Sequence, residues 1–348
     1  MLITASCGKL QYSGRIDDKN PDMQTLVFPC SSITIRFRGS EIYAILENRN
    51  VYWDNYIGVI LDGKQTKIRL ENGIKQTVCL GKNLKEEEHI LMLFKRQDSC
   101  HELIFYGFEI PDSGEVMEPL PRPSRKLEIF GDSVSAEEVS EAVEYAGKPD
   151  PEHNGQYSNS WYSYGWITAR KLNAQLHDIA QGGAALMDGT GWFCAPNYIG
   201  MESIWDKVHY NPMLGMVTEW DFSRYIPHVV IVAIGQNDNN PEDYMKKDPE
   251  GEKAASWKQH YKSWIAQIRE KYPNALIILT TTVLEHCSKW DDAIEEVCKQ
   301  MKDSKIVHFL YHQNGCQTPG HIRIPEAEAM AEELTEFITS FGEEIWDA

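Results

Sequence analysis

Apolar and polar residues alternate in short runs over the first third of the chain. Glycine, asparagine and aspartate punctuate these runs, which predict strands at residues 33–39, 41–48, 51–63, 64–71, 75–81, 89–96 and 102–110. Asp62-Gly63 and Asn72-Gly73 are dipeptides that favour hairpin turns. Several short strands at this spacing are typical of a β-sandwich or jelly roll, and we expect one over residues 1–118.

Three prolines interrupt the pattern at residues 118–126, where basic residues replace the apolar ones. Proline fixes φ and cannot donate to a strand ladder, so a stiff linker is predicted at residues 119–126. A second domain should then occupy residues 127–348.

The apolar period changes after this linker. Strands are predicted at 127–131, 176–180, 229–235, 276–282 and 306–310, and helices at 161–172, 257–272, 292–301 and 325–341. Alternating short apolar strands and helices predict an α/β/α domain with a parallel, doubly wound sheet. Two long segments, 134–160 and 189–227, interrupt the alternation and are candidate walls of a site.

Composition narrows the class of protein. The 348 residues include 34 basic and 52 acidic side chains, a net charge of −18, which argues against nucleic acid as a partner. No apolar stretch is long enough to span a membrane, and the N-terminus lacks the pattern of a secretory leader, so a cytoplasmic location is expected. The eight cysteines are scattered and predict free thiols, and no cofactor or metal site is expected.

Chemically capable residues follow the predicted strands. Ser133 follows the first strand of the second domain, Gly182 follows the second, Asn237 follows the third, and His321 precedes the last helix. Because ligands bind at the carboxyl ends of parallel strands, these four residues should meet at one edge of the sheet.

The set suits acyl transfer. A serine hydroxyl needs a base to become a nucleophile, and the ordinary pKa of histidine makes it the right base near neutral pH. Backbone N–H groups of Ser133 and Gly182, with the Asn237 amide, would stabilise a tetrahedral oxyanion. The chemistry therefore assigns Ser133 as nucleophile, His321 as general base, and Gly182 and Asn237 as oxyanion donors.

The same blocks resemble those of the SGNH (GDSL-type) hydrolases: Gly131-Asp132-Ser133, a glycine after the second strand, Gly235-Gln236-Asn237-Asp238 and a late histidine. A preceding β domain and the segment GHIRIP at 320–325 are similar to carbohydrate esterase family 2. That resemblance implies a jelly roll followed by an SGNH deacetylase domain, with Gly183 as the alternative oxyanion donor.

One position departs from the SGNH pattern. Thr318 stands three residues before His321, where many SGNH enzymes have the aspartate that orients the histidine. The resemblance implies a Ser-His dyad whose imidazole is oriented by a backbone carbonyl, from residues 317–319 or elsewhere. Asp238 is the runner-up, although its place after Asn237 suits holding the loop.

Four further residues are candidate substrate contacts. Asp132 and Gly183 neighbour the catalytic positions, and Trp192 and Trp290 lie in or near loops where an indole face could stack on a sugar ring.

Three functions remain open. The first is a carbohydrate O-acetyl esterase acting on acetylated mannan- or xylan-type oligosaccharides. The second is a lipid-ester or thioester hydrolase on the same scaffold, and the third is a carbohydrate-binding protein without activity. The sequence leaves the sugar, the acetyl position and the oligomeric state undetermined.

Overall fold

Two antiparallel sheets form the N-terminal part of the protein. The computed structural model describes residues 1–316 and 318–347. The strands are β1 (Leu2–Thr4), β2 (Gln11–Ser13), β3 (Ile16–Asp17), β4 (Gln24–Leu26), β5 (Ser32–Arg38), β6 (Ile42–Asn50), β7 (Asn55–Leu61), β8 (Lys64–Leu70), β9 (Lys75–Gly81), β10 (Glu88–Lys95), β11 (His101–Glu109) and β12 (Glu115–Val116). In the first sheet the strand order is β3-β4-β11-β6-β9, and β1 also pairs with β11. In the second sheet the order is β12-β5-β10-β7-β8, and β2 also pairs with β5.

Alternation explains why the two sheets pack face to face. In β5, Ile33, Ile35 and Phe37 are fully buried, and the residues between them are partly exposed. They share one apolar core with inward-facing residues of β6, so the predicted sandwich is confirmed. The strands β1–β4 and β12 were not predicted, because two or three residues are too few to show a period.

The two predicted hairpin turns have different outcomes. Asp62 and Gly63 both have positive φ, 51° and 79°, and join the paired strands β7 and β8 in a tight hairpin. Asn72-Gly73 is not a hairpin, because β8 and β9 lie in different sheets and the turn carries the chain between them.

Five parallel strands form the central sheet of the C-terminal part in the described residues, in the order β14-β13-β17-β18-β19. The sheet strands are β13 (Arg125–Gly131), β14 (Ala174–Ala180), β17 (Val229–Ala233), β18 (Leu276–Thr280) and β19 (Ile306–His308), and a separate ribbon pairs β15 (Lys207–His209) with β16 (Thr218–Glu219). The helices are α1 (Ser133–Ala136), α2 (Tyr164–Lys171), α3 (Met201–Ile204), α4 (Tyr244–Lys247), α5 (Glu252–Lys271), α6 (Lys289–Met301) and α7 (Ile324–Thr339). Since β13 begins at Arg125, the last two residues of the predicted linker belong to the sheet.

Helices cover both faces of this sheet, as predicted for an α/β/α domain. One face packs on α5 and α6. The α5 residues buried there recur at helical spacing, as the predicted helix at 257–272 requires: Trp257, Tyr261, Trp264, Ile265 and Ile268. The other face packs on α2 and α7. Both faces are apolar, so the carboxyl edge of the strands is where polar side chains can meet a ligand.

Close contacts join the β-sandwich to the C-terminal domain. Phe28 stacks on Tyr210 with ring centroids 4.9 Å apart. Arg15 of the sandwich and Glu128 of β13 form an ion pair of 3.1 Å in which both side chains are fully buried. The sandwich is thus positioned to contribute to the surface beside the strand ends.

Among the described helices, none is long and apolar enough to cross a membrane.

Candidate active site

A cavity of about 490 Å³ opens where the strands of the parallel sheet end. It collects the four predicted catalytic residues and also residues of the β-sandwich and of both long insertions. Its lining residues are Tyr52, Trp53, Ser133, Glu138, Asp150, Gly182, Gly183, Trp192, Phe193, Cys194, Asn237, Leu284, Pro319, Gly320 and His321.

Ser133 is the first residue of α1, directly after β13. Asp132 caps this helix: its backbone is extended, and its carboxylate accepts a hydrogen bond of 3.0 Å from the Val134 N–H. The cap places the Ser133 N–H at the first helical position, where backbone donors lack intrahelical acceptors. Ser133 therefore presents a hydroxyl and a backbone donor at the cavity wall.

Asp132 itself does not reach the cavity, which corrects the expectation that it contacts substrate. It is fully buried, and its Oδ2 accepts hydrogen bonds from the side-chain amides of Gln236 (2.6 Å) and Asn237 (2.9 Å). Burial raises its pKa to about 6. Its function is to hold the Ser133 turn against the loop after β17.

His321 is oriented by a carboxylate from the first insertion. Its Nδ1 lies 2.6 Å from Asp150 Oδ2, and its backbone N–H donates to Asp150 Oδ1 at 2.9 Å. The buried Arg323 also donates to Oδ1, at 2.8 Å. Gly320 permits this approach, because a Cβ there would lie 2.6 Å from Oδ1.

These contacts determine the charge of the pair. Burial alone would raise the pKa of Asp150, but the hydrogen bonds from His321 and Arg323 hold it well below its usual range. Burial opposes protonation of His321, yet the hydrogen bond to Asp150 and nearby carboxylates raise its pKa above the ordinary value. The arrangement stabilises the imidazolium, as the acid of a catalytic triad does.

Asp150, and not the expected backbone carbonyl, orients the His321 ring, which corrects the sequence prediction. The Thr318 carbonyl accepts from the Glu285 N–H at 2.9 Å, and the Thr318 side chain is buried. Residue 317, which was part of the prediction, lies outside the described residues. The runner-up Asp238 is fully buried and accepts from Trp257 and Leu186, so it holds the loop after β17.

One more carboxyl group lies beside the imidazole. Glu138 Oε2 is 3.5 Å from His321 Nε2. Burial, together with the neighbouring Asp98 of the β-sandwich, raises the pKa of Glu138. Over residues 1–316 and 318–347, no hydrogen bond joins Ser133 Oγ to His321, and Glu138 is the group that faces Nε2.

The two predicted oxyanion donors line the cavity but already have protein acceptors. The Gly182 N–H donates to Asp98 Oδ2 at 2.8 Å. The Asn237 amide donates to Asp132 at 2.9 Å and to the Ala184 carbonyl at 3.2 Å. Position 182 requires glycine, since a Cβ there would lie 1.9 Å from Glu138 Oε1. An oxyanion would have to share or replace these acceptors, and the donor roles stay predictions.

The aromatic residues differ in where they lie. Trp192 lines the cavity with 61% of its surface exposed, and its backbone N–H donates to the Gly183 carbonyl at 2.8 Å. Trp290 is fully buried in the core against Trp257, so the expectation that it contacts substrate is wrong.

Sequence reasoning missed Tyr52 and Trp53, which bring the β-sandwich into the cavity wall. Both fall inside the predicted strand 51–63, whereas β7 begins at Asn55. It also missed Asp150, for which a signal existed: a carboxylate between Pro149 and Pro151, within an insertion that was already a candidate wall. Asp98 follows β10 without any local signal.

Comparison with known proteins bears on the sequence and fold of both domains. Residues 12–121 match the model described as carbohydrate esterase 2 N-terminal. The chain is 29% identical over 337 residues to the cellulase/esterase CelE of Acetivibrio thermocellus, covering 93% of this chain but 38% of that protein. It is 26% identical over 339 residues to an acetylxylan esterase/glucomannan deacetylase of Cellvibrio japonicus, covering 96% of this chain and 89% of that protein.

A solved structure extends the likeness over both domains. The family two carbohydrate esterase of Clostridium thermocellum, in complex with cellohexaose, superposes with a TM-score of 0.80 at 26% identity, over 95% of this chain and 98% of that one.

Along nearly its whole length the chain is therefore similar to enzymes of carbohydrate esterase family 2. The resemblance inferred from the strand-end blocks and GHIRIP is thereby confirmed, and with it the SGNH-type fold of the second domain. In this chain, the carboxylate that orients His321 is Asp150, from the insertion after α1.

Proposed function

We propose that this protein is a serine carboxylic-ester hydrolase that removes O-acetyl groups from acetylated mannan- or xylan-type oligosaccharides. The observation that carries the proposal is the contact of 2.6 Å between His321 Nδ1 and Asp150, in a cavity that Ser133 also lines. An oriented imidazole beside a serine at the start of a helix is the arrangement that activates a hydroxyl as a nucleophile.

The reaction proceeds through an acetyl-enzyme. Ser133 Oγ attacks the acetyl carbonyl while His321 Nε2 takes the hydroxyl proton, giving a tetrahedral oxyanion. The C–O bond to the sugar then breaks, and the sugar oxygen leaves with the proton from His321. Water, deprotonated by His321, attacks the acetyl group on Ser133. The bond from Oγ to the acetyl carbon then breaks, His321 returns the proton to Oγ, and acetate is released. Asp150 keeps Nδ1 protonated and stabilises the imidazolium at each step.

Glu138 occupies the side of the imidazole that must receive the serine proton. Catalytic hydrogen bonds are often long before substrate binds and tighten in the complex. We infer that His321 Nε2 exchanges its contact with Glu138 for one with Ser133 Oγ when the ester enters the cavity. The buried pair formed by Glu138 and Asp98 also keeps negative charge near the positively charged form of His321.

The substrate class follows from the wall opposite the strand ends. Tyr52 and Trp53 of the β-sandwich and the exposed Trp192 present aromatic faces, on which sugar rings stack. The named relatives are an acetylxylan esterase/glucomannan deacetylase and an esterase crystallised with cellohexaose, which supports a β-linked plant oligosaccharide here. The cytoplasmic location expected from the sequence stays a prediction.

The test is NMR of acetylated manno- and xylo-oligosaccharides during incubation with the protein. We expect acetyl signals of one of these substrates to convert to free acetate, and Ser133→Ala to abolish the conversion. A p-nitrophenyl ester series separates the lipid-ester alternative, because a strong preference for long acyl chains would contradict the proposal. Sugar binding without acetate release and without labelling by a serine-directed inhibitor would instead indicate a binding protein.

A further inference from the structure

A second cavity lies on the seam between the two domains, away from the catalytic residues. Its volume is about 370 Å³, within the range of ligand pockets. It adjoins Gln175 and His177 in the first half of β14, whereas Gly182 follows the end of that strand. This seam cavity is lined by Tyr12, Ser13, Gly14, Ile16, Asp18, Gln24, Arg122, Lys126, Gln175, His177, Trp220, Arg224 and Tyr225.

Cations dominate the seam cavity although the protein carries a net charge of −18. Arg224 is neutralised by Asp18 at 2.6 Å. Arg122 donates to the Tyr12 carbonyl at 2.7 Å, and the Lys126 Nζ lies 5.5 Å from the centre of the Tyr225 ring. In the described part of the chain neither Arg122 nor Lys126 forms an ion pair, so the lining has an excess of two positive charges.

Two buried nitrogen atoms in the same lining also lack partners. His177 Nδ1 and Trp220 Nε1 have no hydrogen-bond partner among the described residues, and the two residues are 6% exposed each. The nearest carboxylate oxygen to His177 Nδ1, Glu128 Oε1, is 3.9 Å away and already pairs with Arg15. Both atoms are themselves inaccessible, so neither contacts a ligand directly. An indole N–H can only donate, and without an acceptor its positive partial charge adds to the positive character of this wall.

Neutral hydrogen-bonding side chains complete the lining: Ser13, Gln24 and Gln175. Hydroxyl and amide groups of this kind suit a hydroxylated ligand, while the two cations that form no ion pair suit its anionic group. The lining comes from the β-sandwich, the linker and the C-terminal domain, so a ligand here would contact both domains.

We propose that the seam cavity binds a small sugar carrying an anionic group, a carboxylate or a phosphate. The anion accepts hydrogen bonds from Lys126 and Arg122, and the sugar hydroxyls bond to the neutral side chains. This site is independent of the proposed ester hydrolysis, because none of its residues lines the catalytic cavity.

Isothermal titration calorimetry on the full chain tests the proposal with four probes: glucuronate, glucose 6-phosphate, glucose and inorganic phosphate. We expect glucuronate or glucose 6-phosphate to bind, which identifies the anionic group, and the two half-ligands to bind at least about tenfold more weakly. Inorganic phosphate binding as tightly as the sugars, glucose binding as tightly, or no binding of any probe would each overturn the proposal.

Variants that remove a positive charge from the seam cavity provide a second test of the proposal. Lys126→Met and Arg122→Met should each weaken binding about tenfold or more, since each removes one charge-assisted hydrogen bond. Lys262→Met, on the exposed side of α5, is the matched control and should bind as the wild type does. The ligand should raise the melting temperature of the wild type and of Lys262→Met more than that of Lys126→Met. Equal affinity in Lys126→Met, with unchanged acetyl release as proof of folding, would contradict the site.

Discussion

The catalytic cavity has two walls of different origin. The sheet-edge wall consists of Ser133, Gly182, Asn237 and His321, which follow strands or precede a helix of the parallel sheet. The insertion wall consists of Tyr52, Trp53, Glu138, Asp150 and Trp192, which lie on long connections and on the β-sandwich. The difference indicates a division of labour: rigid elements hold the reacting groups, and connections adjust their charge and present the sugar surface.

Charge separates the two walls as well. The sheet-edge wall holds no carboxylate, whereas the insertion wall provides Glu138 and Asp150, with Asp98 behind them. Burial opposes protonation of His321, but Asp150 and Glu138, with a further contribution from the buried Asp132, raise its pKa above the ordinary value. His321 must be neutral to accept a proton, so activity should fall as the pH drops through this raised pKa. The acidic limb of the pH–activity profile therefore measures how strongly the carboxylates of the insertion wall raise the pKa of His321.

The largest expected effect is on the sheet-edge wall. Ser133→Ala should reduce kcat by roughly 10⁴-fold or more, because the acetyl-enzyme cannot form without the Ser133 hydroxyl. Acetate release from an acetylated oligosaccharide measures it. The control is Ser203→Ala on α3, away from the cavity, which should keep wild-type turnover. Retained turnover in Ser133→Ala would show that the sheet-edge wall does not provide the nucleophile, and the proposed difference in role between the two walls would be wrong.

The next effect tests whether the insertion wall reaches the chemistry. Asp150→Asn should lower kcat by roughly 10²–10⁴-fold, because asparagine does not stabilise the imidazolium. It keeps an oxygen for the Arg323 and His321 N–H groups, so the fold should persist. The acidic limb of the kcat/KM profile should move to lower pH, since the largest contact that raises the pKa of His321 is lost.

Thr318→Val is the matched control for that experiment. It changes a buried side chain close in sequence to His321 without touching Asp150, and we expect wild-type kcat and an unchanged pH profile. A loss of several orders of magnitude in Thr318→Val, with Asp150→Asn near wild type, would show that Asp150 is only structural.

Asn237→Ala addresses the oxyanion prediction. If the amide leaves Ala184 to donate to the oxyanion, kcat should fall about 10²–10³-fold with little change in KM. Pre-steady-state acetylation measures this directly. An unchanged kcat together with a lower melting temperature would mean that Asn237 only supports Asp132, and the sheet-edge wall would lose one chemical role.

The smallest effect concerns substrate contact. Trp53→Ala and Trp192→Ala should raise KM for an oligosaccharide severalfold to about tenfold, in line with the loss of aromatic stacking, and leave turnover of p-nitrophenyl acetate unchanged. The comparison of the two substrates is the measurement. Equal losses on both would place these indoles in the chemistry instead of on the sugar surface.

The sheet-edge wall was predictable from sequence, and most of the insertion wall was not. Strands with strong apolar patterns locate Ser133, Gly182 and Asn237, because a parallel sheet brings its carboxyl ends together whatever the intervening sequence. Asp150 and Trp53 depend on how irregular connections fold back, which no period encodes. Trp290 shows the converse: an aromatic near a loop is buried once tertiary packing is known.

The most direct measurement is mass spectrometry of the acid-quenched protein during turnover of an acetylated oligosaccharide. We expect one acetyl group on the peptide that contains Ser133. In Asn237→Ala the acetylated fraction should rise only if deacetylation slows more than acetylation does. Acetate release with no acetyl group on Ser133, in a protein whose Ser133→Ala variant turns over normally, would contradict the account.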